Sequence, residues 1–67
     1  MIVIEKDVAD GQGHAVVELD FGELLALSNA LGETLELIPE WEFHMRTGVE
    51  KHDAALLHQQ VRGLLRP

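Results

Sequence analysis

The chain has 67 residues, no cysteine and a formal net charge of −7 at neutral pH. A single domain of this size buries only roughly 60% of the surface that its unfolded chain exposes, so marginal stability is expected. Without cysteine, neither a disulfide nor a thiolate metal site can add stability. Association with a second chain is the remaining common source of stability, and residues 1–67 are expected to form one small domain.

The charge is distributed unevenly along the chain. Residues 1–45 hold ten acidic side chains and one lysine, whereas residues 46–67 hold two acidic and four basic side chains. A mostly acidic chain lacks the cationic surface that nucleic-acid binding requires, so no nucleic-acid partner is expected. The charge favours a protein partner with a basic surface, and the alternative is that it only keeps the protein in solution.

The sequence contains no apolar run near the ~20 residues of a membrane span. The apolar start of the chain meets Glu5 after four residues, which is too early for a secretory signal. We therefore expect no membrane association and a cytoplasmic location.

Residues 1–19 are predicted to form a β-hairpin around Asp10-Gly11, since this dipeptide is the strongest turn signal in the chain. A turn centred there pairs Val8 with Gly13 and Lys6 with Ala15. A wider, bulged loop that uses both glycines is the alternative. Two strands alone are barely stable in water, so one face should pack on a helix. The register assigns that face to Ile2, Ile4, Val17 and Leu19, and the opposite face to Val3, Glu5, Val16 and Glu18.

The stretch from Asp20 to Ile38 is predicted to be an amphipathic helix. Asp20 and Glu23 form a capping-box pattern at its start, and Pro39 ends it. Ser28 is interpreted as a packing residue, and Gly32 as a weak point that could also end the helix early. Its apolar stripe consists of Phe21, Leu24, Leu27, Leu31, Leu35 and Ile38.

Residues 40–46 alternate between polar and apolar side chains, which predicts either a short third strand or an extended linker. Thr47-Gly48 is predicted to interrupt the secondary structure. A second helix is predicted from Lys51 to Leu65 with Glu50 or Thr47 as its cap. Its buried stripe consists of Ala54, Leu57, Val61, Leu64 and Leu65. The predicted class is α+β, with an N-terminal β-hairpin packed on two α-helices (ββαα, or ββαβα if residues 40–46 join the sheet).

The sequence offers little for catalysis or metal binding. His52 and His58 lie six residues apart, about 240° around a helix, so they cannot face one metal ion. The paired carboxylates lie among other acidic residues on faces expected to be solvated, where neither member would have the shifted pKa that catalysis needs. We therefore expect no enzymatic activity, no cofactor and no metal.

Trp41 lies between Glu40 and Glu42, which is a typical setting for an interface anchor with charges that steer a partner. The alternative is that Trp41 and Phe43 close the small core. The predicted partner-binding residues are Glu33, Glu36, Glu40, Trp41 and Glu42.

About half of the chain resembles a loosely defined group of short bacterial proteins. The shared pattern is roughly ELLxLxNALxE, then EF or EFxxR, then a glycine and a helix with a leucine pair. In this chain it appears as ELLALSNALGE over residues 23–33, EFHMR over residues 42–46, Gly48 and Leu56-Leu57. Gly32 departs from the pattern, where an asparagine is expected. The group resembles the immunity proteins of polymorphic toxin systems, which implies a non-enzymatic acidic inhibitor of a basic toxin domain. The alternative function is a homo-oligomeric structural or regulatory protein, such as a homodimer.

Overall fold

The computed structural model describes residues 1–9 and 11–66 and shows an antiparallel β-hairpin followed by three helices. The elements are β1 (Ile2–Ala9), β2 (Gln12–Glu18), α1 (Phe21–Leu37), α2 (Glu40–Thr47) and α3 (Lys51–Leu64). The predicted α+β class, with a hairpin ahead of the helices, is confirmed. The predicted number of two helices is wrong, because residues 40–47 form a helix of their own.

Helix α1 begins with the predicted capping box. The Asp20 carboxylate accepts a hydrogen bond of 2.8 Å from the Glu23 N–H, and the Glu23 carboxylate accepts one of 3.0 Å from the Asp20 N–H. The amino group of Met1 also donates to Glu23, and these contacts lower the pKa of Glu23, the Met1 contact first. The helix ends at Leu37 because Ile38, which precedes Pro39, has an extended backbone.

Helices α1 and α3 pack against each other through small side chains. Ser28 of α1 and Ala54 of α3 are buried, and a Cβ added at Gly32 would lie 3.3 Å from Nε2 of His58. The helix continues through Gly32, so this glycine does not end α1. It is a position where the side chain of His58 from α3 packs closely against α1.

The predicted buried stripes of both helices are confirmed in part. In α1, Phe21 and Leu27 are exposed, while Leu24, Leu31 and Leu35 are half-buried. In α3, Leu57 and Leu64 are exposed, and the half-buried positions are Lys51, Ala55, His58 and Val61, followed by Leu65 just after the helix. The buried side of α1 is the predicted one with Ser28 at its centre, whereas the buried side of α3 is shifted towards Ala55 and His58.

Helix α2 replaces the predicted strand or linker. Its polar residues suit a helix, with Glu40 and Glu42 in the first turn and His44 and Arg46 in the last, matching the helix dipole. Arg46 donates a 2.9 Å hydrogen bond to Glu42 one turn earlier. The alternation of residues 40–46 was compatible with a strand, but the side chains satisfy a helical spacing as well.

Phe43 of α2 forms the centre of the core and is only 1% exposed. The Lys51 ammonium group lies 5.9 Å from the centroid of its ring, and the same ammonium donates a 2.9 Å hydrogen bond to the Ile38 carbonyl. Gly48 ends α2 in a left-handed conformation (φ 83°), which turns the chain into α3. Glu50 precedes α3 as its cap residue but makes no side-chain capping bond.

The hairpin register is confirmed near the turn and wrong beyond it. Val8 pairs with Gly13 and Lys6 pairs with Ala15, as predicted, and both Gly11 and Gly13 have positive φ. Asp10, the first residue of the predicted turn, lies outside the described residues. The pairing then skips Ile4, so that Val3, not Ile4, is opposite Val17. The predicted division of the two faces is wrong for this reason, since one skipped residue changes the side that later residues face.

The hairpin does not pack on the helices, contrary to the prediction. All the described residues of β1 and β2 are exposed, and within residues 1–9 and 11–66 neither strand contacts α1, α2 or α3. Only Leu19 and Asp20 separate β2 from α1, and the extended backbone of Asp20 leads the chain away from the helix.

Candidate functional site

The first candidate surface is an open groove between α1 and α3, with a volume of about 420 Å³. Glu33 and Glu36 of α1 line it together with His58 and Arg62 of α3. The two predicted acidic residues therefore share their surroundings with a guanidinium group, which reduces the negative potential that they present to a partner. The three predicted residues of α2 lie outside this groove.

The second candidate surface is the outer face of α2, which we define by Glu40, Trp41 and Met45. Trp41 is 80% exposed and Met45 is 78% exposed. They lie on the same side of the helix because they are four residues apart, whereas Phe43 points to the core. The helix thus separates the three apolar residues that an extended segment would have placed together. The alternative in which Trp41 closes the core is excluded by its exposure.

The carboxylates beside Trp41 differ in their surroundings. Glu42 is half-buried and bound to Arg46, whereas Glu40 is exposed at the start of α2. Negative charge at a helix start is favourable for the helix, so Glu40 also has a local structural role. Glu40 is the better candidate for steering a basic partner, since Arg46 already neutralises Glu42.

Met45 is the residue of this surface that the sequence did not single out. If residues 40–46 were extended, Met45 would share one side with Trp41 and Phe43. The signal that could have identified it was the four-residue spacing from Trp41, combined with acidic residues first and basic residues last in the segment.

Three further findings concern chemistry and relatives. In the described part of the chain, no group of three histidine, aspartate or glutamate side chains is arranged to hold a metal ion. No helix among the same residues is both long enough and apolar enough to cross a membrane. Comparisons of the chain with protein-family models, with curated proteins and with solved structures give no match.

Proposed function

We propose that this chain is a non-enzymatic protein-binding module that acts in the cytoplasm through the outer face of α2. The observation that supports this most directly is the exposed indole of Trp41, with Met45 beside it and the carboxylate of Glu40 at its edge. Tryptophan is among the residues that contribute most to binding energy at interfaces. An exposed tryptophan and methionine on one short helix face are therefore suited to a partner's pocket.

The charge of the chain favours a basic partner. Most of the acidic residues precede α3, and Glu40 is an exposed carboxylate next to the apolar pair Trp41 and Met45. The specific form of the proposal is an immunity-type inhibitor that covers the basic active-site cleft of a bacterial toxin domain. This form rests on the resemblance of residues 23–57 to immunity proteins.

Replacing Trp41 with alanine should weaken binding to such a toxin domain, taken from a reading frame beside that of this chain, by about thirtyfold or more. The reason is that the indole supplies the buried anchor, so the loss should lie mainly in the dissociation rate. The thermal unfolding midpoint of the free chain should not change, because the side chain is 80% exposed. Surface plasmon resonance and thermal unfolding are the two measurements. Binding by Trp41→Ala as tight as that of the unchanged chain would exclude this face of α2.

Replacing Glu40 with lysine should slow association with the same domain several-fold at low salt and flatten the salt dependence of the association rate. Glu50→Lys is a matched control, because Glu50 is also an exposed glutamate at a helix start and the change of charge is the same. Stopped-flow association at several salt concentrations distinguishes the two variants. Equal rates for both would show that only the total charge matters, and not the position of Glu40.

A further inference from the structure

The chain exposes more surface than a compact protein of its mass. Folded monomers of 7.5 kDa expose about 4,200 Å², whereas this chain exposes 5485 Å². The excess is roughly 1,200 Å² per chain, more than the ~800 Å² that one partner contributes to a standard interface and within the range of obligate homodimers. The excess surface is as large as the area that one chain contributes to a complete protein–protein interface.

The shape of the molecule agrees with this excess. Its radius of gyration is 13.2 Å, and its principal extents are 35 × 35 × 14 Å. A compact domain of this length has a radius of gyration of about 11 Å. The hairpin accounts for much of the extension, since its strands contact none of the described helices. Its six large aliphatic side chains are all exposed, and they are Ile2, Val3, Ile4, Val8, Val16 and Val17.

Among the described residues of the two strands, one face of the hairpin carries apolar side chains and no acidic ones. The register places Val3, Val8 and Val17 on this face, which we call the valine face. Lys6 and Ala15 share it, whereas the acidic residues of the strands alternate to the other face. Those acidic residues are Glu5, Asp7 and Glu18. The valine face is thus the part of the hairpin that can approach another acidic chain without like-charge repulsion.

We propose that two copies of this chain form a permanent twofold dimer in which the valine face of each hairpin packs against the other copy. The described residues of the chain bury only Phe43, Ala54 and Ser28, so the chain needs a second chain over its exposed apolar surface in order to fold. That second chain must be available whenever the protein is made, and another copy of the same chain meets this condition. Twofold homodimers are also the most common soluble oligomers, and their interfaces are the most apolar. Lys6 would face the net negative charge of the second copy.

The first test is the mass of the unchanged protein in solution. Sedimentation equilibrium at micromolar concentration should give twice the 7.5 kDa of one chain. The thermal unfolding midpoint should rise with protein concentration, because dissociation accompanies unfolding in an obligate dimer. A folded monomer with a midpoint independent of concentration would overturn the proposal.

The second test compares Val17→Lys with Gln12→Lys, two variants of β2 with the same change of charge. Val17 is on the valine face, opposite Val3, whereas Gln12 is on the opposite face at the tip of the hairpin. Val17→Lys should weaken the dimer by about a hundredfold or more, since it would bury an unpaired ammonium group. Gln12→Lys should dimerise like the unchanged chain. Equally tight dimers of both variants would show that the interface lies elsewhere.

The third test does not depend on whether a variant folds. A dimer prepared from equal amounts of isotope-labelled and unlabelled chains allows contacts between copies to be detected selectively by nuclear magnetic resonance. Methyl groups of Val3, Val8 and Val17 should show nuclear Overhauser effects to the second copy. A dimer in which these methyl groups show none would overturn the role of the valine face. None of the three tests involves Trp41 or Glu40, so a failure here is distinguishable from a failure of the proposed function.

Discussion

Replacing Phe43 with alanine is expected to destabilise the protein by about 3–5 kcal/mol, enough to unfold much of it at room temperature. The whole free energy of unfolding of a domain with 67 residues is only roughly 3–10 kcal/mol. Phe43 is the one large side chain among the described residues that is fully buried, and the ammonium group of Lys51 lies over its ring. Its removal would leave a cavity where α2 packs on α3.

Urea denaturation followed by circular dichroism measures this loss, and Phe21→Ala is the matched control. Phe21 is the same residue type at the first position of α1, but it is exposed. Its replacement should cost far less than that of Phe43, because little buried area is lost. Phe43→Leu should fall between the two, since leucine refills part of the cavity. Equal denaturation midpoints for Phe43→Ala and Phe21→Ala would contradict the central position of α2 in the core.

Replacing Gly13 with alanine is expected to disrupt the hairpin, at a cost of more than about 3 kcal/mol. The backbone of Gly13 has φ 101°, and an added Cβ would lie 1.8 Å from the carbonyl oxygen of Asp7. Asp7 lies in β1 and Gly13 in β2, so the clash can be relieved only if the two strands separate or change register. Amide hydrogen exchange of β1 and β2 measures the effect, and protection should be lost across both strands.

Gly11→Ala is the control for the conformational part of this effect. Gly11 also has positive φ (77°), but a Cβ added there meets nothing within 4 Å. Its replacement should therefore cost only about 1–2 kcal/mol, the usual penalty for an ordinary residue in a left-handed conformation. If Gly13→Ala destabilises the hairpin no more than Gly11→Ala does, the close contact between Gly13 and the Asp7 carbonyl would be contradicted.

The two proposals assign different surfaces to different partners. The valine face of the hairpin is assigned to a second copy of the chain, and the outer face of α2 to a basic protein. Trp41 and Val17 belong to elements that do not contact each other within one chain. Variants of Trp41 or Glu40 should therefore leave the dimer unchanged, and the failure of one proposal is distinguishable from the failure of the other.

Much of α1 and the hairpin turn was predictable because the signals are local. The capping box of Asp20 and Glu23 joins residues three apart, and Pro39 restricts only its own neighbour. Val8 and Gly13 were paired correctly because a turn sets the register of the residues next to it. Such interactions need no information from distant parts of the chain.

Helix α2 was missed because seven alternating residues fit a strand and a short helix equally well. The spacing of Glu42 and Arg46 and the glycine at position 48 were compatible with a helix, but they did not exclude an extended segment. The burial of Phe43 distinguishes the two, since only a helix sends it inward while Trp41 points outward. That burial depends on α3, which lies further along the chain.

The candidate binding surface was predictable in its residues but not in its arrangement. Glu40 and Trp41 were singled out from the sequence, whereas the alternative of a buried indole could be excluded only from the structure. The placement of Glu33 and Glu36 beside Arg62 depends on how α1 crosses α3. The small residues Ser28 and Gly32 allow α1 to approach α3 closely, and a hydrophobicity pattern does not mark such residues.

The sequence by itself determined the α+β class, the hairpin turn, the start of α1 and the acidic balance of the chain, because these follow from neighbouring residues and from composition. Only the tertiary structure decided which apolar side chains are covered. Phe43 is buried, whereas Trp41 and the hairpin valines are exposed. The physical reason is that burial depends on which surfaces meet in space, and no local pattern in the sequence specifies which surfaces those are.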